Sequence, residues 1–524
     1  YPTRLSTGST GVVKLDLLKS PIFQTTALLS ASEPTLSANV NIGRRGKPTI
    51  VDVPQGVYSG THTFVPAKSD LANAIASLNT STKYAITAVT YNSTTGKITA
   101  TTSGAHGLSA GTEIRILKDK IMYGEQISNL FSYISFRSAL AVIFSLIITT
   151  YFGKSIITFL HKKSVGENIR KLGLNGEKQK EGVPTMGGLI ILLGILVPTF
   201  LLCKLNNIYV ILMILTSVWI GCIGFVDDYI KVFKKKKKGL AGRFKIFGQI
   251  VLGCIVSIIL YFHPSVTVQE KIPLTSSTKN NTEIINDNFI INEVFQEEKK
   301  STNTTIPFFK DNQFDYSSIL TFVGLNKKWT WLIYLIIVVF IISAVSNGAN
   351  LTDGIDGLAT GTSAIIGTCL TVFAYVSSNA ITSDYLNIMF IPNSSELVVF
   401  MSAFVGSCVG FLWYNSYPAQ VFMGDTGSLS LGAIIAVCAI TIRKELLIPI
   451  FCGVFFIESI SVILQVSYFK YTKKKYGTGR RIFLMSPLHH HFQKKGIHES
   501  KISTRFWIVC IFLVIIAFVT LKIR

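Results

Sequence analysis

The chain has 524 residues, of which 49% are hydrophobic and 15% are charged, and its formal net charge is +22. Its mean hydropathy of +0.46 is too high for a soluble protein of this length. Positive charge can indicate a nucleic-acid partner, but no aromatic-interleaved basic module accompanies it here. We therefore expect a membrane protein with lysine-rich loops facing anionic lipid headgroups, and no nucleic acid as a partner.

Residues 1–121 differ in kind from the rest, because Thr, Ser and Gly are abundant and residues 84–91 alternate as strands do. We predict a small β-rich soluble module. Residues 91–100, followed by 105–108, resemble short β-hairpin segments of phage tail and other virion proteins. The module carries no secretory signal, so we expect a fusion, a fragment or a mis-joined sequence. A genuine accessory domain is the alternative.

Residues 122–524 contain apolar blocks of roughly 18 to 22 residues, which predict about ten membrane helices. The fold class expected is an all-α polytopic membrane protein, with a polar extracytoplasmic insertion at residues 264–328. The block at 428–442 gives the weakest signal. The predicted spans are 134–160, 186–204, 207–226, 244–263, 329–347, 358–377, 397–414, 428–442, 446–468 and 505–523.

The loops between the predicted spans differ in charge. An even number of spans puts both ends of the membrane domain on one side, so five alternate loops share the other side. Those five loops hold most of the positive charge, including the run from Lys234 to Lys238, whereas Lys327, Lys328, Arg443 and Lys444 are exceptions. By the positive-inside rule the lysine-rich face is cytoplasmic.

Acidic motifs recur in these loops. Asp227 and Asp228 end the third predicted span, and adjacent acids on a helix project about 100° apart, so one can hold a cation while the other faces a lysine or a nucleophile. Asp425 lies in a Gly-Asp-Thr-Gly turn that precedes a span. A lone acidic pair can simply be solvated. The many basic residues downstream instead favour a binding site for Mg²⁺ and phosphate. The downstream basic residues are Lys231, Lys234 to Lys238 and Lys245.

Asn350, Asp353 and Asp356 recur at a spacing of three, which predicts one face of a helical turn. Gly354 and Gly357 would let the backbone approach a ligand closely. The alternative is a capped helix start, with Asp as the N-cap residue.

A histidine triplet, His489, His490 and His491, lies in the last of these loops. Neighbours in sequence cannot all point at one ion, so a zinc site is not expected. A phosphate contact or a supporting role for one or two of them is the better interpretation. Glu458, isolated in the ninth predicted span, is either a packed, hydrogen-bonded carboxyl group or part of the site, and the first is favoured.

Together these motifs resemble the phospho-N-acetylmuramoyl-pentapeptide transferase family, within the polyprenyl-phosphate N-acetylhexosamine-1-phosphate transferase superfamily. The resemblance covers about residues 122–524. The segments that carry it are 181–188, 227–231 with 238–240, 350–357, Asn415 with 422–427, and 487–492.

The resemblance implies a ten-helix fold, usually a homodimer, that joins UDP-MurNAc-pentapeptide to undecaprenyl phosphate and forms lipid I and UMP. It implies Mg²⁺ bound by Asp425 and Asp228, and uracil stacked on Phe422. The implied catalytic residues are Asp227, Asp228, Asp425, His489 and His490. The implied substrate-binding residues are Lys180, Lys231, Lys238, Asn350, Asp353, Gly354, Ile355, Asp356, Asn415, Phe422 and His491.

Several alternatives stay open at this point. Direct attack by the lipid phosphate is favoured over a covalent phospho-aspartate intermediate, because no residue needs to be a nucleophile. A sister enzyme that uses UDP-N-acetylglucosamine is the nearest rival, and residues 486–492 argue against it. A transporter would place its acids near mid-membrane, whereas these cluster at one surface. A chimera with an inactive membrane half is opposed by the complete set of motifs.

Overall fold

The computed structural model describes seven short strands before residue 103 and most of the chain after residue 129. The described residues of the later part are 130–162, 180, 182–234, 239–269, 298–308, 313–386 and 388–521. The chain divides into two units, Tyr1–Ser132 and Tyr133–Arg524.

Antiparallel strands make up the described part of the first unit. Strand β6 pairs with β7, in the region where alternation predicts strands. The order in the larger sheet is β2-β3-β5-β7-β6, and β1 pairs with β4. The strands are β1 (Pro2–Arg4), β2 (Val12–Lys14), β3 (Leu28–Ser30), β4 (Asn39–Asn41), β5 (Thr61–Thr63), β6 (Ile86–Asn92) and β7 (Lys97–Thr102).

The second unit is helical, and the predicted all-α polytopic membrane fold is confirmed. Within the described residues, nine helical segments are long and apolar enough to cross a membrane, and α2 is a shorter apolar helix. The helices are α1 (Ile134–Lys162), α2 (Gly188–Leu202), α3 (Ile208–Val232), α4 (Gly242–Phe262), α5 (Ser317–Val323), α6 (Thr330–Thr352), α7 (Leu358–Ser377), α8 (Ala380–Leu386), α9 (Glu396–Asn415), α10 (Gly424–Thr441), α11 (Ile448–Phe451), α12 (Gly453–Tyr476), α13 (Leu488–Lys494) and α14 (Glu499–Thr520).

Helix α10 is the central helix, and 89% of it is buried. It packs against α2, α3, α6 and α7. Because it faces other helices instead of lipid, it can carry the small and polar residues that weaken its hydropathy signal. A Cβ atom at Gly432 would lie 2.6 Å from Ser346 Cα, so the absence of a side chain lets α6 and α10 approach closely.

Two helices extend further than their apolar blocks indicate. Helix α3 continues to Val232, so Asp227 and Asp228 lie within its last two turns and not after them. The ninth block is interrupted near Cys452, where α11 ends, and α12 then runs on to Tyr476. Hydropathy fades at the charged ends of both helices, although the backbone remains helical.

The insertion contains a small antiparallel sheet, in which β8 (Asn303–Thr305) pairs with β9 (Gln313–Asp315). Two of the four cationic exceptions to the charge asymmetry, Arg443 and Lys444, anchor it. Arg443 Nη2 donates to Ser301 O at 2.9 Å, and Lys444 Nζ donates to Thr305 Oγ1 at 2.7 Å. Both cations are buried, and burial lowers the pKa of Lys444 to about 8. These two charges therefore hold the insertion on the helices.

A buried ion pair joins α1 to α9. Arg137 donates through both terminal nitrogens to the two carboxylate oxygens of Glu396, each at 2.7 Å. Arg137 also donates to Leu202 O at 3.0 Å, and Glu396 accepts from Lys204 N at 3.0 Å. Three helices, α1, α2 and α9, are thus fixed at one point.

Replacing Glu396 by Ala would leave the Arg137 charge buried without its partner. Such a loss typically costs about 3 to 5 kcal/mol, so we expect a clearly lower melting temperature in detergent. The double variant Arg137→Met/Glu396→Met removes both charges and is expected to melt close to the unmodified chain. Equal melting temperatures for the single and double variants would show that the pair does not hold these helices together.

Candidate active site

Two of the sequence motifs lie side by side through backbone hydrogen bonds. Phe422 N donates to Pro184 O, Gly187 N to Phe422 O, and Gly188 N to Met423 O, each at 2.8 Å. A Cβ atom at Gly188 would collide with the backbone of residues 426–427. The start of α2 therefore rests directly on the start of α10, and this contact depends on glycine.

A cluster of three carboxylates lies where α3 and α10 meet. Asp227 and Asp228 come from the last turns of α3 and Asp425 from the first turn of α10. One oxygen from each lies within 4.8 Å of the others. Asp227 and Asp228 are buried, whereas the Asp425 side chain keeps 14% of its surface exposed. Asp425 is thus the member of the cluster that a ligand can reach most easily.

Asp228 caps helix α10 from a neighbouring helix. Its Oδ1 accepts from Asp425 N at 3.0 Å, and its Oδ2 accepts from Thr426 N at 2.9 Å and Thr426 Oγ1 at 2.6 Å. The first amides of a helix have no partner within the helix, and the carboxylate also faces the positive end of the helix dipole. Asp228 therefore holds α10 in place and has less capacity left for a ligand.

Two ammonium groups lie among the carboxylates. Lys231 Nζ is 2.5 Å from Asp227 Oδ2, 3.1 Å from Asp425 Oδ1 and 4.0 Å from Asp228 Oδ1. Lys245 Nζ on α4 is 3.0 Å from Asp227 Oδ1 and also pairs with Asp425 Oδ2. Three carboxylates thus face two ammonium groups, which leaves one negative charge in excess.

Lys245 belongs to the basic residues downstream of the acidic pair, but it is not among the predicted site residues. Its only sequence signal is membership of a lysine-rich stretch, and no spacing links it to Asp227 on a different helix. Folding brings the two together, and Asp227 Oδ1 also accepts from Leu240 N at 2.6 Å, in the segment just before α4.

Asn350 and Asp356 do not share a helical face, so that prediction is wrong. Helix α6 ends at Thr352, and the chain turns at Gly357, whose φ is +72°. Asn350 therefore reaches the carboxylate cluster, where its Nδ2 donates to Asp425 Oδ1 at 3.1 Å and to Ser428 Oγ at 2.8 Å. Asp356 belongs to a second group of residues.

The second group is centred on Lys180. Its Nζ lies 2.7 Å from Asp356 Oδ1, 2.6 Å from Glu499 Oε2 and 5.9 Å from the centre of the Phe422 ring. Burial alone would lower the pKa of Lys180, but the charges of Asp356 and Glu499 outweigh it and hold the pKa above its ordinary value. Lys180 is therefore a fixed ammonium beside a half-buried aromatic face. Glu499 carries no motif signal, because it is a lone acid at the start of an apolar span.

Buried side chains brace the loops around Lys180. Asn415 Oδ1 accepts from Gly357 N at 3.2 Å and from Thr360 Oγ1 at 2.9 Å, and its Nδ2 donates to Val421 O at 3.0 Å. Asp356 Oδ2 accepts from Ala419 N at 3.0 Å. These two side chains hold the loop that carries Phe422.

The remaining predicted residues of this loop lie between the end of α6 and the start of α7. The Ile355 side chain is buried in a small cluster with Leu358 and Ile502, so its contribution to a site would come from the backbone. Asp353 is the C-cap residue of α6, is half-buried, and donates its N–H to Asn350 O at 3.3 Å. Lys238 lies outside the described residues.

The three histidines point in different directions, as the sequence analysis expects. His489 is buried with its Nδ1 3.2 Å from Glu458 Oε2. The His491 Nδ1 accepts from Leu484 N at 3.1 Å. The His490 Nδ1 lies 3.0 Å from Gln493 Oε1.

The proton position on His490 follows from a chain of hydrogen bonds. Gln493 Nε2 donates to Glu499 Oε1 at 2.6 Å, so the amide oxygen faces His490, and Nδ1 of His490 must be the donor. Burial, with His489 and Lys180 nearby, lowers the pKa of His490 to about 4. His490 is therefore neutral near pH 7 and presents an unprotonated Nε2, which is a hydrogen-bond acceptor and only a weak base.

The donor set of the carboxylate cluster fits a hard divalent cation. Carboxylate oxygens are the protein ligands that such ions prefer, and the excess negative charge favours a cation over an anion at this point. Asp425 is the most exposed of the three, and Asp228 Oδ1 accepts a single hydrogen bond. A cation held by these two side chains would compete with Lys231 and Lys245 for the same oxygens.

Comparison with known proteins places most of this chain in a family. Residues 299–443 match the family described as Glycosyl transferase family 4. The phospho-N-acetylmuramoyl-pentapeptide-transferase of Flavobacterium psychrophilum is 62% identical over 398 residues, that of Flavobacterium johnsoniae 59% over 400, and that of Parabacteroides distasonis 56% over 414. Each match covers 76% of this chain and 96% of the relative. With this identity over nearly the whole length of its relatives, the chain belongs to the phospho-N-acetylmuramoyl-pentapeptide-transferase family.

Proposed function

We propose that this chain transfers phospho-MurNAc-pentapeptide from UDP-MurNAc-pentapeptide to undecaprenyl phosphate, forming lipid I and UMP. The observation that carries the proposal is the cluster of Asp227, Asp228 and Asp425 with two lysines, at the ends of two membrane helices. A charged centre at a helix end is where a water-soluble nucleotide and the phosphate of a membrane lipid can meet.

The Lys180 group is the nucleotide end of the proposed site. Lys180 is already paired with Asp356 and Glu499, so it adds little net positive charge toward a diphosphate. Its position beside the Phe422 ring suits a hydrogen bond to a neutral base that stacks on that ring. Asn415 and residues 353–356 belong to the loops around this pocket. The hydrogen bonds that Asn415 and Asp356 accept from backbone amides hold these loops in place.

The carboxylate cluster is the phosphate end. A lipid phosphate oxygen attacks the β-phosphorus and forms the new P–O bond, while the bond to the bridging oxygen breaks and UMP leaves with the electron pair. Lys231 and Lys245 lie where they can neutralise the phosphoryl oxygens. When bound by Asp425 and Asp228, Mg²⁺ would supply further positive charge to the diphosphate.

The proposal favours Asp227 over Asp228 for holding or accepting a proton of the lipid phosphate. Asp228 is engaged by two amides at the start of α10, whereas Asp227 accepts one backbone N–H, from Leu240, and otherwise pairs with Lys231 and Lys245, which the incoming phosphate can attract away. Direct attack by the lipid needs no covalent bond to either residue.

The proposal also covers the membrane location, the oligomeric state and the extent of the transferase domain. The nine long apolar segments make this an integral membrane protein. We propose that it lies in the bacterial cytoplasmic membrane as a homodimer, with the lysine-rich loops and the site on the cytoplasmic face. We also assign the transferase to residues 122–524 and leave the insertion and the β-rich module outside the site.

The full chain in detergent, with UDP-MurNAc-pentapeptide, undecaprenyl phosphate and Mg²⁺, should release UMP and form lipid I. Asp425→Ala should lower kcat by at least about a hundredfold, because it removes the most exposed carboxylate of the cluster. Glu445→Gln is the matched control, since Glu445 is buried and accepts from Tyr316 in the anchor of the insertion.

Turnover with UDP-N-acetylglucosamine alone would assign the chain to a sister activity. Folded protein that turns over neither nucleotide sugar would overturn the proposal.

Lys245→Met should tighten cation binding, because Lys245 competes for oxygens of Asp227 and Asp425. We expect the Kd for Mn²⁺, measured by electron paramagnetic resonance, to fall about tenfold, which corresponds to about 1.4 kcal/mol. Lys234→Met removes an exposed lysine that follows the end of α3 and should leave the Kd unchanged. An unchanged or weaker Kd in Lys245→Met would place the cation away from this cluster.

His490 should not contribute to the acidic limb of the pH profile of kcat/KM. Its pKa of about 4 lies below the ordinary histidine value of about 6.5, so it stays neutral as pH falls from 7 to about 5. His490→Gln is expected to lower activity without moving this limb. A limb that disappears in this variant would mean that His490 carries the titrating proton.

A further inference from the structure

Helix α12 holds the histidine-bearing loop through a row of polar side chains. Thr472, Gln465 and Glu458 are buried at spacings of seven residues, which places them on one face of the helix. Each accepts a backbone N–H from the loop. Arg480 N donates to Thr472 Oγ1 at 2.8 Å. Ile482 N and Phe483 N both donate to Gln465 Oε1 at 3.0 Å, and His489 N donates to Glu458 Oε1 at 3.2 Å.

Glu458 differs from the other two because it is a carboxylate with no exposed surface. A neutral acceptor is enough to hold a backbone N–H, as Gln465 demonstrates two turns away. Burial of a charge carries a free-energy cost that a neutral side chain avoids. The charge therefore needs an explanation beyond docking, and its Oε2 lies 3.2 Å from Nδ1 of His489.

The opposite side of the His489 ring faces the loop after α6. A Cβ atom at Gly354 would lie 2.8 Å from His489 Cε1 and still closer to Nε2. The ring of His490 lies 4.2 Å away between centroids. His489 thus contacts both the loop that carries Asp356 and the histidine that lies nearest to Lys180.

We propose that Glu458 is a positioning residue, which keeps the proton of His489 on Nδ1 and directs an unprotonated Nε2 toward the Gly354 loop. A carboxylate beside one ring nitrogen selects the tautomer in which that nitrogen carries the hydrogen. The orientation of His489 then fixes the surface on which His490 and the loop rest. The catalytic consequence rests on the proposed transferase function, whereas the tautomer does not.

Glu458→Gln separates positioning from docking. The amide oxygen still accepts the His489 N–H, but the amide NH₂ group then faces Nδ1 and favours the tautomer with its hydrogen on Nε2. We expect kcat for UMP release to fall about 10- to 100-fold, with the KM for UDP-MurNAc-pentapeptide within about twofold of the unmodified value.

The tautomer can be measured directly in the full chain. Solid-state NMR of protein labelled with ¹⁵N-histidine separates protonated from unprotonated ring nitrogens, and the signal lost in His489→Gln assigns His489. The unmodified chain should show the hydrogen on Nδ1, and Glu458→Gln should show it on Nε2. Gln465→Leu is the control for docking, because it weakens the hold on the loop and should leave the His489 tautomer unchanged.

Two results would overturn the proposal: an unmodified His489 with its hydrogen on Nε2, or a kcat in Glu458→Gln equal to that of the unmodified chain. If the unmodified chain does not release UMP, the transferase function fails. The NMR measurement still decides whether Glu458 sets the tautomer.

Discussion

The cap that Asp228 on α3 places on the start of α10 is the constraint on which the site depends. It joins two helices at their ends without a covalent bond or a long loop, and glycines at 224 and 424 give it the necessary space. Because the cap fixes the first turn of α10, it also fixes Asp425, the backbone contact with the start of α2, and the loop that carries Phe422. A helix end is a reliable anchor here, since its free amides need an acceptor wherever water is scarce.

The way in which charges are held distinguishes the two halves of the site, since each half has one carboxylate more than it has ammonium groups. At the carboxylate cluster the acids outnumber the ammonium groups, and these are shared among several oxygens and can exchange partners. At Lys180 a single ammonium is held by two carboxylates, which are themselves held by backbone or amide donors. The first half suits reactants whose charge changes, and the second half suits a rigid, neutral group. One loop, residues 350–357, reaches both.

Most of the candidate site can be predicted from the sequence, because acidic residues are rare at the ends of apolar helices. Asp227, Asp228, Asp425 and Asn350 could be selected from their motifs. Hydropathy predicted about ten spans, and the described residues contain nine helical segments long enough to cross a membrane together with the shorter α2. Lys245, Glu499 and Gln493 could not be selected as site residues, since no motif or spacing links them to the partners that folding brings beside them.

The errors were local and have physical causes. The prediction that Asn350 and Asp356 share a helical face is wrong because residue spacing does not show where a helix ends. Helix α10 gave a weak span signal because its position at the centre of the bundle removes the need for an apolar surface.

The length of α2 has a consequence for the surrounding lipid. Its 15 residues span about 22 Å, whereas the hydrocarbon core of a bilayer is about 30 Å thick. Leu193, Phe200 and Leu201 are exposed, so this helix presents an apolar surface that suits acyl chains. Hydrophobic mismatch then draws the bilayer thinner beside α2. Since α2 begins at Gly188, against the start of α10, a bilayer that matched the length of α2 would bring lipid headgroups closer to the carboxylate cluster.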